Sequence, residues 1–257
     1  MDNTKELTVI SFCAGYGGIE RGLELAGVRI RVVAYVEIEA FAIANLVVKM
    51  ESGELDAAPI YTDLKTFPAS YFRGKVDIFL GGYPCQPFSL SGKGLAQDDP
   101  RHLWPYLLEH IKAVKPVRCL WENVYGHVHR GLEEVLSDME AEGYRTEFGI
   151  FSASEVGSVH ERKRVFILAD SNCSHLEGRG ISSRVQSEQS INHSSDATER
   201  GASTQFWEDE PGISRMDDGS SDWVDRVRML GNGVVPQTAC RAWQVLTKRM
   251  EEQNDDN

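Results

Sequence analysis

The sequence lacks the cysteine pattern of a disulfide framework or of a zinc site. Its 257 residues include five cysteines, with no Cys-x-x-Cys pair and no regular spacing: Cys13, Cys85, Cys119, Cys173 and Cys240. This usage favours a reducing compartment and argues against a structural metal. No apolar run approaches 18 residues, and the first six residues do not form the basic start of a signal peptide. We therefore expect a cytoplasmic protein without metal and without a membrane segment.

Positive charge is also scarce. Lysine and arginine total 27 against 39 acidic residues, which gives a formal net charge of −12. Phosphate contacts are made by Lys and Arg, so this balance alone argues against a nucleic-acid partner. The charge is uneven, however, because residues 205–225 hold seven acids and one base, a net of −6, whereas residues 157–184 hold five bases and three acids, a net of +2. A locally basic cleft is therefore compatible with the composition.

Apolar strand patterns alternate with helical patterns along most of the chain. The predicted strands are 7–12, 31–36, 76–80, 117–121, 144–152 and 165–168, and the predicted helices are 19–26, 40–49, 102–114, 132–141 and 238–250. Such alternation predicts an α/β domain with a mostly parallel sheet and helices on both faces. No helical pattern separates the last two strands, so we expect them to form a hairpin.

A serine-rich segment interrupts this pattern. Residues 171–204 contain nine serines and only seven apolar residues, too few to offset the entropy of ordering the segment. We expect a long loop or a largely disordered insert there. The chain is accordingly divided into a first domain at 1–170, a small irregular segment at 171–214, and a closing part at 215–250 that completes the first domain.

Reactive side chains follow or precede three of the predicted strands. Cys85 lies in a Gly/Pro-rich loop directly after the strand 76–80, and Glu122 follows the strand 117–121. Arg162 and Arg164 come just before the strand 165–168. Because open parallel sheets bind ligands at the carboxyl ends of their strands, a thiol nucleophile, a proton donor and an anion clamp can meet at one edge.

A glycine-rich loop after the first strand predicts a cofactor site. Gly15, Gly17 and Gly18 allow a tight turn and close approach of a ligand to the backbone. Glu37 ends the next strand, 19 residues after Gly18, where a carboxylate can accept both hydroxyls of a ribose. Asp63 is placed to contact an adenine amino group. The spacing alone also fits a nicotinamide dinucleotide, which leaves an oxidoreductase open at this point.

These motifs together resemble those of the DNA cytosine-5 methyltransferase family. The segments that carry the resemblance occur in the family's order, at residues 9–20, 35–39, 61–64, 81–89, 121–124, 160–164 and 230–236. The resemblance covers roughly residues 7–170 and 215–246. It implies a Rossmann-like fold that binds S-adenosylmethionine, a double-stranded DNA substrate, a monomeric enzyme of the restriction–modification type, and a compact, phage- or prophage-like form with a reduced target-recognition segment.

The resemblance also implies roles for individual residues. Cys85 would attack C6 of a flipped cytosine, Glu122 would donate a proton to N3, and Arg164 would contact O2. Arg162 would hold the surroundings of Glu122 and Cys85 in place. The cofactor would be bound by Cys13, Ala14, Gly15, Tyr16, Gly17, Gly18, Glu37, Ile38, Asp63, Leu64, Pro84 and Asn232.

Two residues depart from the family's pattern. Ser11 stands where the family usually has an acidic residue, and His160 stands in the usual glutamine position. These departures and the short recognition segment keep a non-catalytic, nucleic-acid-binding relative open. An RNA cytosine-5 methyltransferase is a further alternative, although the Cys-Phe-Thr segment of the tRNA-methylating branch is absent.

Overall fold

The computed structural model describes residues 5–84, 103–129, 131–171 and 233–255. Seven strands occur in this part of the chain: β1 (Leu7–Phe12), β2 (Ile30–Val36), β3 (Ile60–Tyr61), β4 (Ile78–Gly81), β5 (Arg118–Val124), β6 (Arg145–Phe151) and β7 (Arg164–Asp170). Five α-helices accompany them: α1 (Gly18–Leu25), α2 (Ala40–Glu51), α3 (Trp104–Val114), α4 (Leu132–Ala141) and α5 (Pro236–Asp255). Short 3₁₀ segments lie at Leu64–Thr66, Ala69–Phe72, Tyr125–His129 and Ser154–Val156.

The strands form one sheet in the order β3-β2-β1-β4-β5-β7-β6. The first five strands in this order pair in parallel, whereas β7 runs antiparallel to both β5 and β6. The predicted hairpin of the last two strands is thus confirmed, with β7 inserted between β5 and β6. The sequence order changes direction between β1 and β4, which defines the position of a ligand crevice in such sheets.

Helices cover both faces of the sheet. Along β4, the side chains of Ile78 and Leu80 enter the core shared with α1, α2 and α5, whereas Phe79 enters the core shared with α3 and α4. All four residues of β4 are buried, as expected for a strand covered on both sides. The predicted α/β class is therefore confirmed.

The C-terminal helix α5 packs closely on α1. A Cβ atom added to Gly22 of α1 would lie 2.5 Å from Cβ of Ala239 in α5, so this contact requires a residue without a side chain. Trp243 and Leu246 of α5 belong to the same core as β1 and β7. The described residues of the closing part, from 233 onward, thus pack on the first domain. The division at residues 171 and 214 stays a prediction, because residues 172–232 lie outside the described ranges.

No helix in the described part of the chain is long and apolar enough to cross a membrane.

Candidate active site

Three strand ends converge at the carboxyl edge of the sheet. Phe12 at the end of β1 pairs with Gly81 at the end of β4, and Gly81 pairs with Trp121 of β5. The loops that follow these residues therefore start side by side. The first two carry the glycine-rich motif and the chain that leads to Cys85, and Glu122 follows Trp121 within β5.

The glycine-rich loop adopts the conformation that its sequence predicts. Gly15 and Gly17 have φ angles of 56° and 82°, a region that favours glycine. Gly17 is also the N-terminal flanking residue of α1. A Cβ atom added to Gly15 would meet no atom within 4 Å, so the backbone is open to a ligand at that point.

Cys13 lies in the same loop with a φ of 50°, which is uncommon for a residue other than glycine. Burial, with a smaller contribution from Glu37, raises the pKa of its thiol to about 12. The thiol is therefore protonated at neutral pH and is not a nucleophile.

Glu37 connects the end of β2 to the glycine-rich loop. Its side chain is buried, and Oε2 accepts a hydrogen bond from the backbone N–H of Gly15 at 2.8 Å. Oε1 accepts from the backbone N–H of Glu39 at 2.9 Å. A carboxylate offers about four lone-pair sites, so both oxygens can still accept a ligand hydroxyl. The neighbouring side chain of Ile38 is 73% exposed and offers an apolar surface beside the carboxylate.

Asp63 and Leu64 follow β3, which pairs with β2 so that Val36 lies opposite Tyr61. Asp63 Oδ1 accepts from the backbone N–H of Lys65 at 2.9 Å and thereby caps the 3₁₀ segment Leu64–Thr66. The side chain of Leu64 is buried in the core. These contacts give both residues a structural role, and their binding of a cofactor stays a prediction.

The donor and acceptor set fits an adenosyl cofactor. An open glycine backbone, a carboxylate with free acceptor sites and an exposed apolar side chain lie on adjacent strand ends. A ribose requires hydroxyl acceptors and an adenine ring requires an apolar surface, and Glu37 and Ile38 provide these. The same residues do not distinguish S-adenosylmethionine from a dinucleotide.

Glu122 is a buried acid at the end of β5, with an exposed fraction of 6%. Its Oε1 forms an ion pair at 2.8 Å with Nε of Arg164, which lies on the neighbouring strand β7. Desolvation raises the pKa of Glu122 to about 7 and outweighs the opposite effects of Arg164 and Arg162. At neutral pH the carboxyl group is therefore close to half protonated, as suits a proton donor.

Glu122 also lies against the chain that leads to Cys85. A Cβ atom added to Gly82 would lie 3.0 Å from Oε2 of Glu122. Pro84 is described and exposed, whereas the predicted nucleophile Cys85 and the predicted cofactor ligand Asn232 lie outside the described residues. Glu122 is thus adjacent to the strand end that precedes the predicted nucleophile.

Both arginines lie close to Glu122. Arg164 forms an ion pair with it, and the nearby charge of Arg162 also lowers the pKa of Glu122. Arg162 Nη2 donates to the backbone carbonyl of Gly233, and its role in holding the surroundings of Glu122 and Cys85 stays a prediction. Arg162 also has a φ of 34°, and such unfavourable backbone conformations tend to occur at functional sites.

Tyr16 connects the glycine-rich loop to the closing segment. Its hydroxyl donates to the carbonyl of Val234, and its own carbonyl accepts from Lys49 Nζ at 2.9 Å. A Cβ atom added to Gly233 would lie 1.7 Å from Cε1 of the Tyr16 ring. The last glycine of the predicted closing motif is therefore required by the position of Tyr16.

Glu20 is a buried acid whose burial its local sequence does not indicate. It lies in the first turn of α1, is 1% exposed and has a pKa raised by burial. The hydroxyl of Ser11 hydrogen-bonds to its carboxyl group, so the side chains at the two ends of the glycine-rich loop are connected. A glutamate at the start of a helix is typical of a solvated residue, and only the tertiary structure shows its burial. His160, the other departure from the family's pattern, is exposed.

Comparison with known proteins identifies related sequences. Residues 7–218 match the family model of the C-5 cytosine-specific DNA methylases. The chain is 32% identical over 171 residues to "Type II methyltransferase M.NgoMIV" of Neisseria gonorrhoeae, an alignment that covers 65% of this chain and 53% of that protein. It is 31% identical over 169 residues to "Type II methyltransferase M.HgiCII" of Herpetosiphon aurantiacus, with 64% of this chain and 37% of that protein covered.

Solved structures of similar fold include the Dnmt2 methyltransferase of S. pombe. Its TM-score is 0.54 at 24% identity, with 72% of this chain and 55% of that chain covered. A DNMT2 variant from Spodoptera frugiperda gives a TM-score of 0.55 at 22% identity and covers 67% of this chain and 52% of that chain. Likeness at this level of identity shows a shared fold. The chain spans about half, or less, of the length of these relatives.

Proposed function

The chain belongs to the C-5 cytosine-specific DNA methylase family, and we propose that it transfers a methyl group from S-adenosylmethionine to C5 of cytosine in double-stranded DNA. The observation that carries this proposal is Glu122. It is a buried carboxyl group with a pKa raised to about 7, paired with Arg164 and packed against the strand end that leads to Cys85.

Cys85 is the proposed nucleophile. The target base cannot react within the helical stack, so it is flipped out of the duplex at a cost of about a few kcal/mol. The thiolate then forms a bond to C6, and the π electrons of the C5–C6 bond are displaced through C5 and C4 toward N3. Negative charge develops at N3 and O2 in this step.

Glu122 and Arg164 would stabilise this negative charge. The protonated Glu122 donates to N3, which neutralises the ring and leaves C5 with the electron density of an enamine carbon. Arg164 would donate to O2, which is supported by the position of its guanidinium group beside Glu122. Preorganised donors at the position of developing charge are typically the largest contribution to such catalysis.

The glycine-rich loop and Glu37 are proposed to hold the cofactor. S-adenosylmethionine, when bound, supplies an electrophilic methyl group on a sulfonium centre. Glu37 would accept the ribose hydroxyls, Ile38 would contact the adenine ring, and the open backbone at Gly15 would allow close approach. C5 would take the methyl group as the methyl–sulfur bond breaks, which would leave S-adenosylhomocysteine. The C5 proton would then leave to a base such as water, the C6–sulfur bond of Cys85 would break as the C5–C6 double bond re-forms, and N3 would return its proton to Glu122.

Arg162 and Tyr16 would maintain the shape of the site. Both side chains donate to carbonyl groups of the closing segment, at Gly233 and Val234. They thereby connect the arginine motif and the glycine-rich loop to the start of α5. The cytoplasmic location, the monomeric state and the recognition role of residues 171–214 stay proposals made from the sequence.

Transfer of tritiated methyl groups from S-adenosylmethionine to duplex DNA and to tRNA tests the proposed substrate. We expect label in DNA that is released by DNase and not by RNase. Cys85→Ser is expected to bind the cofactor but to transfer no label. Label confined to tRNA would replace DNA by RNA as the substrate, and binding of DNA without transfer would indicate a non-catalytic relative.

A further inference from the structure

Both chain ends that flank residues 85–102 meet in one aromatic cluster. Tyr83 follows β4 and Trp104 begins α3, and their ring centroids lie 5.6 Å apart. Trp121 of β5 lies 6.2 Å from the Tyr83 ring and 6.1 Å from the Trp104 ring. All three side chains are 3% exposed or less. The chain that leads to Cys85 is therefore packed against β5, which carries Glu122.

Two polar contacts fix Tyr83 further. Its hydroxyl is 3.0 Å from Nε2 of His127, and both groups are buried. Its backbone carbonyl accepts a hydrogen bond from Nδ2 of Asn123 at 3.0 Å. Asn123 directly follows Glu122, and His127 belongs to the 3₁₀ segment after β5. Tyr83 is thus held at its side chain and its backbone by the chain that continues from Glu122.

The His127 ring has a fixed position. A Cβ atom added to Gly131 would lie 2.8 Å from Cε1 of His127, so the ring packs directly on the glycine backbone. Burial lowers the pKa of His127 to about 4, so the imidazole is neutral at physiological pH. A neutral imidazole can accept from the Tyr83 hydroxyl at Nε2 when its proton is on Nδ1.

We propose that His127 is a positioning residue for methyl transfer: it holds the Tyr83 hydroxyl, and Tyr83 holds the chain that leads to Cys85 in register with Glu122. This inference rests on the proposed function. Cys85 follows Tyr83 by two residues, and Gly82, which precedes Tyr83, lies so close to Glu122 that an added Cβ atom would be 3.0 Å from Oε2. Misplacement of a reacting group by about 1 Å can lower a rate about a hundredfold.

The test compares Tyr83→Phe, His127→Phe and the double variant. Each single variant leaves one buried polar group without its partner, so we expect the melting temperature to fall. Replacing both partners by apolar groups of similar shape removes that penalty, so the double variant should recover most of the melting temperature. We expect kcat to fall about tenfold in all three variants, because each variant removes the Tyr83–His127 hydrogen bond that orients the chain leading to Cys85. KM for DNA and for the cofactor should stay within about twofold of wild type.

Tyr144→Phe is the matched control. The Tyr144 hydroxyl donates to the carbonyl of Pro116 at 2.7 Å, and the side chain is buried just before β6, outside the candidate site. This variant also loses one buried hydrogen bond and should therefore lose similar stability. Its kcat should stay at the wild-type value.

Recovery of kcat together with melting temperature in the double variant would overturn the proposal, since the contact would then be only structural. Unchanged kcat in every variant would overturn it as well.

The alkylation rate of Cys85 by iodoacetamide, measured by peptide mass spectrometry, gives a readout that does not depend on methyl transfer. We expect this rate to change at least about threefold in the three variants and not in Tyr144→Phe. An inactive wild type would contradict the proposed function, while an unchanged alkylation rate would contradict the positioning role.

Discussion

Arg164 Nε lies 2.8 Å from Oε1 of Glu122, and this ion pair connects β7 to β5 at the carboxyl edge of the sheet. A nearby cation usually lowers the pKa of a carboxyl group, but here burial dominates and raises it to about 7. Burial thus keeps a proton donor available at neutral pH, and the ion pair fixes its orientation. The contact also depends on the antiparallel insertion of β7, which places Arg164 opposite Val124.

The pH dependence of methyl transfer should report the titration of Glu122. Its carboxyl group is protonated below about pH 7 and ionised above it. Above that pH, kcat/KM relative to that of Glu122→Gln should fall about tenfold per unit, because only the protonated form donates to N3, whereas the rise in Cys85 thiolate is common to both proteins. Glu122→Gln should have lower activity throughout and no such alkaline limb, as measured by tritium transfer between pH 5.5 and 9. An identical alkaline limb in the glutamine variant would assign the titration to another group.

Arg164→Gln should move this alkaline limb to higher pH. Arg164 is the largest of the influences that lower the pKa of Glu122, so its removal leaves desolvation less opposed. The variant should also be slower at every pH, because it loses the proposed donor to O2. Arg21→Gln is the control, since Arg21 is 60% exposed and pairs with Glu24 on the surface. A limb that moves to lower pH in Arg164→Gln would be incompatible with the observed pair.

Glu37→Ala should weaken binding of S-adenosylmethionine. The substitution removes two predicted bonds to the ribose and the observed bond from Gly15 that holds the glycine-rich loop. We expect a loss of about ten- to a hundredfold in affinity by calorimetry, the range for charge-assisted hydrogen bonds. Glu39→Ala is the control, because Glu39 is exposed. Equal losses in both variants would remove Glu37 from the cofactor site.

Gly233→Ala should destabilise the packing of the closing segment. The new methyl group would overlap the Tyr16 ring, from which it would be 1.7 Å away without movement. Overpacking of this kind costs about 1–3 kcal/mol, and each kcal/mol lowers the melting temperature of a chain of this size by about 2–4 °C. Gly126→Ala is the control, since nothing lies within 4 Å of a Cβ atom at that position. A melting temperature equal to that of the control would show that Tyr16 can move aside.

Much of the fold could be predicted from local patterns. Alternating apolar strands and helices predicted the α/β class, and the missing helix between the last two strands predicted their hairpin. The strand β3 has only two residues, Ile60 and Tyr61. A strand of this length shows no periodic pattern, so the sequence does not predict it. The position of Glu122 beside the chain to Cys85 followed from the rule that parallel strands end at one edge.

Other features of the site depend on tertiary contacts that sequence spacing does not contain. The ion pair of Arg164 with Glu122 results from the pairing of β7 with β5, and alternating arginines in the sequence do not indicate which of them forms it. Burial of Glu20 arises because α1 packs with β1 and α5 in one core, which no local pattern indicates. The contact of Gly233 with Tyr16 joins positions more than 200 residues apart in the chain.

The central claim is covalent catalysis by Cys85 at C6 of cytosine. A duplex containing 5-fluorocytosine at the target position tests it most directly, because fluorine at C5 cannot leave as a proton does and the adduct persists after methyl transfer. With S-adenosylmethionine present, we predict a protein–DNA adduct that survives denaturation and maps to Cys85 by peptide mass spectrometry, and none with Cys85→Ser. The absence of an adduct from a wild-type protein that methylates unmodified DNA, or an adduct at another residue, would contradict the account.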